Sequence, residues 1–177
     1  MNRTKRGVFL LIASLLIPFS AGCGKRVSSA DALRFNDGLV ALSKRVTDSA
    51  KAFGEAVGPA VDGGIEQVAK AKRELENVEE ALQRAEADVR LLKVPESPAA
   101  KAFYDEHQKL LKHQEQMIKE EFRAIVKVLN DPLLSANDRR KKLAPITRYI
   151  ASMDQGSFAG IRQAQQAFAR EHGFQLK

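Results

Sequence analysis

The chain has one cysteine, Cys23, and that scarcity excludes several ways of building or using a protein. No intramolecular disulfide can close, so packing alone must hold the fold. Neither a thiolate zinc site nor a CxxC redox pair can be assembled. None of the histidines, His107, His113 and His172, follows a glutamate by three residues, which removes the Glu-x-x-His pairs of a di-iron bundle. The CxxCH haem attachment, the Walker loop, the GxSxG elbow and HExxH are missing as well. These absences predict no cofactor, no bound metal and no catalytic role. Long apolar runs are also lacking. Val8–Phe19 is the longest, and it falls short of the roughly 20 residues that span a bilayer.

Charge of one sign is not concentrated either. The formal charge of +7 drops to +4 once residues 1–22, with three basic residues and no acidic ones, are set aside. Both signs are interspersed along the remainder. A nucleic-acid partner needs a concentrated basic footprint, and none is expected.

What the chain has in quantity is helical periodicity. A first helix is predicted from Ser29 to about Val57, with Ser28 or Ser29 as N-cap and Asp31 in its first turn. Phe35, Leu39, Leu42, Val46, Ala50, Phe53 and Val57 form its apolar stripe, and Gly58-Pro59 and Gly63-Gly64 are expected to end it. The second helix is the most regular. Val68, Ala71, Leu75, Val78, Leu82, Ala85, Val89 and Leu92 alternate spacings of three and four, the a/d seam of a heptad repeat. A third runs from Pro98, capped by Ser97, to about Asn130, where Asp131-Pro132 stops it. The fourth opens at Ser135-Ala136-Asn137-Asp138, a capping box with Asp in the Glu place, and closes at Gly173. Its stripe is Leu143, Ile146, Ile150, Met153, Ile161, Ala164 and Phe168, and Gly156 and Gly160 inside it suggest a close helix contact or a kink. No strand alternation and no solenoid repeat occur. The expected fold is all-α, an antiparallel four-helix bundle of long helices over residues 29–177.

The N-terminus carries a different kind of information. Asn2-Arg3-Thr4-Lys5-Arg6 is a basic region, Val8–Phe19 an apolar core, and Ser20-Ala21-Gly22 a run of small residues before Cys23. This ending resembles the lipobox of bacterial lipoproteins, with Ser20 standing where that family usually has leucine. The resemblance covers residues 1–24. It implies a signal peptide over 1–22 and a cut before Cys23. A lipid-modified (palmitate-bearing) Cys23 would then begin a short tether, 23–28. It also implies a cell-envelope location. Gly24 is not the Asp linked to inner-membrane retention in some bacteria, so in a two-membrane cell the outer membrane, facing the periplasm, is the expected site.

Two constellations stand out in the domain itself. On the third helix, Phe103, Leu110 and Met117 form one seven-residue row and Tyr104, Leu111, Ile118 and Ile125 another. His107, Gln114 and Glu121 fall between them on the same spacing. Polar groups in an apolar face need partners. An antiparallel fourth helix would bring Asp154 near His107, and Arg140 and Thr147 near Glu121. The row reads as register-setting polarity, a solvated strip between two packed faces, or a ligand site between helices. The second constellation is Arg139-Arg140-Lys141-Lys142, either a solvated turn or a docking patch for an anionic partner or lipid surface. The function expected is that of a lipid-anchored, non-catalytic interaction or scaffold module. Its partners would be the membrane, through the anchor, and an envelope protein. The alternative is an envelope carrier or sensor holding a small polar or apolar ligand between helices.

Overall fold

The computed structural model describes residues 28–176, apart from the side chains of 153–157. The leader, Cys23 and most of the tether lie outside that range, as do the side chains of Met153 and Asp154. Among the described residues the fold is all-helical: α1 (Ser29–Asp62), α2 (Ile65–Leu91), α3 (Pro98–Met117), a π-helical turn (Ile118–Phe122), α4 (Arg123–Leu129) and α5 (Ala136–His172). From 98 to 129 the helix is unbroken, because the π turn joins α3 directly to α4.

Local chemistry accounts for most helix ends. Ser28, Ser97 and Ser135 each accept an N–H of the first turn on the side-chain oxygen, from Asp31, Ala100 and Asp138. In two of these caps the serine hydroxyl also donates to the carboxylate three residues on, Asp31 or Asp138, at 2.6 Å. That carboxylate therefore meets the capping hydroxyl and not the N-cap N–H. Ser135→Ala is expected to cost about 1 kcal/mol, measured by denaturant unfolding; an unchanged midpoint would show that the cap contributes nothing. At the other end of α5, Gly173 has φ 68 and lets the Phe174 N–H reach back to the Ala169 carbonyl at 3.1 Å.

Prolines behave differently from expectation. The first helix does not stop at Gly58-Pro59. It continues through Pro59 to Asp62, burying Ala60 and Val61 beyond it. Burial of that last turn offsets the lost backbone bond, and the break falls at Gly63-Gly64. Pro145 likewise sits inside α5.

The seam of α2 is buried as its spacing requires, with Val68 and Leu92 at its ends half-buried. It packs chiefly on α1, while α5 packs chiefly on α3. Gly160 marks a close α3–α5 approach, since a Cβ there would stand 2.8 Å from the Glu106 carboxylate. At one end of the molecule the Ser29 hydroxyl donates to the His172 carbonyl at 2.6 Å. At the other, Arg140 pairs with Asp62. Near the first end, Phe35, Phe103 and Phe168 meet with centroids 5.5–6.2 Å apart and join α1, α3 and α5.

Candidate functional site

His107 is the principal buried titratable group of α3, 1% exposed. Its Nε2 lies 2.8 Å from the Ser43 hydroxyl on α1, while Nδ1 makes no well-formed hydrogen bond among the described residues. Burial penalises the imidazolium and pushes the pKa down to about 4, with the Leu39 carbonyl acting weakly the other way. The ring is therefore neutral at ordinary pH. It packs edge-on against Phe103 at 6.1 Å, so it works as a polar anchor between α1 and α3.

The other two members of the row do not share that environment. Gln114 is half-buried, its Oε1 enclosed without a partner among the described residues, and it lines a cavity of about 230 Å³ between α1, α2, α3 with the π turn, and α5. Glu121 is half-buried beside His113, Met117 and Tyr149. For Glu121, which lies within the π turn, that turn is the reason. The Arg123 N–H bonds back to the Ile118 carbonyl, five residues away, which inserts one extra residue and rotates everything after it. Phe122 takes the inward position and stacks on Phe53 at 4.8 Å. Arg140 is not near Glu121 as a partner, because it is committed to Asp62. Thr147 donates to the Leu143 and Ala144 carbonyls of its own helix.

The basic run is dispersed in a similar way. Consecutive helical residues fan out by about 100° each. Lys141 and Lys142 face solvent, and Arg140 closes the Asp62 pair. Arg139 turns inward, donating to the Asp131 carbonyl at 3.2 Å while its Nε is enclosed without a partner. Arg139 there joins Lys72 of α2, and Arg123 and Lys127 of α4, along a groove of about 740 Å³. Val68, Val126 and Leu129 give the groove an apolar floor, and no acidic side chain lines it among the described residues. Arg123 is also paired with Glu79 at 2.9 Å. Ile65 at its edge is 92% exposed and Leu133, in the adjoining loop, 90%. Two large aliphatic side chains this bare, beside a cationic groove, make this end of the molecule the strongest docking surface.

Sequence reasoning missed Ser43 as the partner of His107. It also missed Asn36, a buried amide on the apolar face of α1, whose Oδ1 accepts from Gln165 Nε2 on α5 at 2.8 Å. Asn36 lies between Phe35 and Leu39 in spacing, which was the available signal. Among the described residues, no cluster of three or more His, Cys, Asp or Glu could hold a metal ion. No helix among them is long and apolar enough to cross a membrane. No family model, curated protein or solved structure matches this chain.

Proposed function

We propose that this protein is a lipid-anchored interaction module of a bacterial cell envelope, without chemistry of its own. The fold is read as an antiparallel four-helix bundle in which residues 98–129 act as a single helix. Its carrying observation is the arrangement of its two ends. The tether enters at Ser28, whereas the groove of Lys72, Lys127 and Arg139, with Ile65 and Leu133, lies at the far end of α1. Thirty-four helical residues separate those ends, about 50 Å at 1.5 Å per residue. Anchored through Cys23, the domain would hold a basic, apolar-floored groove well away from the lipid surface. The partner this suits is an acidic envelope protein segment with an apolar side chain: carboxylates for the cations, an aliphatic or aromatic group for the floor. Lipid chains on Cys23 would supply stable attachment, since two or more acyl chains suffice where one is marginal.

Two arms test this reading separately. Cys23→Ala is expected to abolish acyl labelling and to move the protein out of the membrane fraction. Retained labelling and unchanged fractionation would sink the anchor. Crosslinking in intact cells, with wild type beside Lys72→Glu/Lys127→Glu, is expected to show an adduct that the charge reversal removes. An identical adduct pattern from both would sink the docking groove.

A further inference from the structure

We propose that the cavity beside Gln114 is a binding site for a small, neutral aromatic molecule carrying one hydrogen-bond donor, of the phenol or indole class. The cavity shares no lining residue with the basic groove. Its walls are mostly apolar, with Val46 and Ala50 from α1, Val78 from α2, Met117 and Phe122 from α3 and the π turn, and Ile150 from α5, while the exposed Thr47 and Lys51 of α1 stand at its rim. Its volume of about 230 Å³ exceeds the roughly 150 Å³ at which an engineered apolar cavity accepts benzene.

Ligand chemistry follows from the buried, unpartnered polar atom of the lining among the described residues. Gln114 Oε1 is an acceptor without a partner among the described residues, so the complementary guest must donate. A carboxylate would set acceptor against acceptor. An ammonium would bring a charge into walls that hold no carboxylate among the described residues; Lys51 is the charged group at the rim, and it pairs with Glu55 at 3.8 Å. A neutral hydroxyl or ring N–H satisfies Gln114 while the rest of the guest stays apolar. A flat ring suits the remaining surface, because Met117 offers a thioether and Phe122 and Phe158 offer aromatic surface. The extra residue of the π turn, which swings Phe122 inward, also helps to shape this wall.

Binding of phenol and of benzene to the full chain, followed by calorimetry and ligand-observed NMR, tests the assignment. Wild type is expected to bind phenol in the sub-millimolar range. Gln114→Leu, which replaces an enclosed amide by a side chain of similar size, should weaken phenol about tenfold and leave benzene unchanged or tighter. Ala50→Phe should fill the cavity and remove both. Failure of wild type to bind phenol would overturn the proposal. So would phenol binding that neither substitution changes, because the guest would then sit elsewhere.

Discussion

Phe168→Ala is expected to lower the stability of the fold by about 3–5 kcal/mol, the range for truncating a fully buried aromatic residue. The side chain has no exposed surface. It meets Phe35 edge-on at 5.5 Å, stacks on Phe103 at 5.9 Å, and touches Phe174 and His172 at 5.6 and 4.6 Å. Those rings belong to α1, α3 and the end of α5, so truncation opens a void where three helices converge. Neighbours on three rigid helices can collapse into it only partly, which places the cost in the upper part of the core range. Urea or thermal unfolding of the variant gives the measurement. Arg84→Ala is the control. Its side chain is 64% exposed, and its ion pair with Glu80 is a surface contact within one helix, so the change should be within about 0.5 kcal/mol. Equal small losses from both substitutions would mean that the aromatic cluster does not hold the helices together.

Acid should weaken the fold through His107, by on the order of 3 kcal/mol between about pH 6.5 and pH 4. The folded pKa, about 4, lies below the ordinary value of 6.5. The unfolded chain therefore takes up the proton first. The contribution is whole above about pH 6.5, is lost as pH falls towards 4, and levels off below that, where both states are protonated. A pocket beside the ring is lined by Val40, Ser43, Lys44 and Thr47 from α1, Phe103 from α3, and Phe158, Ile161 and Gln165 from α5. Among the described residues no carboxylate lines that pocket to steady an imidazolium. The exposed carboxylate Asp31 acts in a different window. The Ser28 hydrogen bond, and then Arg34, hold its pKa below 3.8, so its contribution is present above that value and lost only at lower pH. The measurement compares wild type with His107→Gln at several pH values. Wild type should be the more stable near pH 7, and the gap should narrow by about 3 kcal/mol towards pH 4. A gap that does not change with pH would show that the buried imidazole does not carry the acid sensitivity.

These two expectations draw on different kinds of legibility. Phe168 could be read as core from spacing alone, because α5 repeats its apolar residues at helical intervals and Phe168 continues the stripe. His107 could be read as a polar residue in an apolar face, but its partner could not. Ser43 is 64 positions away, and nothing in the local pattern of α1 marks that serine out from other small polar residues. The same holds for Asn36 and Gln165, separated by 129 positions. Interactions of that kind depend on which helix faces meet, and side-chain spacing on one helix carries no information about its neighbour.

The sequence by itself determined the helical class, the seam of α2 and most helix ends, because each rests on chemistry within a few residues. A serine oxygen caps the N–H groups of its own first turn, a glycine takes φ 68, and an apolar stripe repeats at the period of the helix. Only the tertiary structure decided where those rules give way. Pro59 stays inside α1 because Ala60 and Val61 beyond it are buried. The π turn shifts Glu121 out of line with His107 and Gln114 and swings Phe122 onto Phe53. The four consecutive cations fan apart, Arg140 to Asp62 and Arg139 to a groove shared with Lys72 and Lys127. For the π turn the physical reason is that local preferences are worth a few tenths to about one kcal/mol per residue, and burial of a large side chain such as Phe122 about 1.5–3; for the cations, helical spacing separates the four, and the neighbouring helices decide what each one meets.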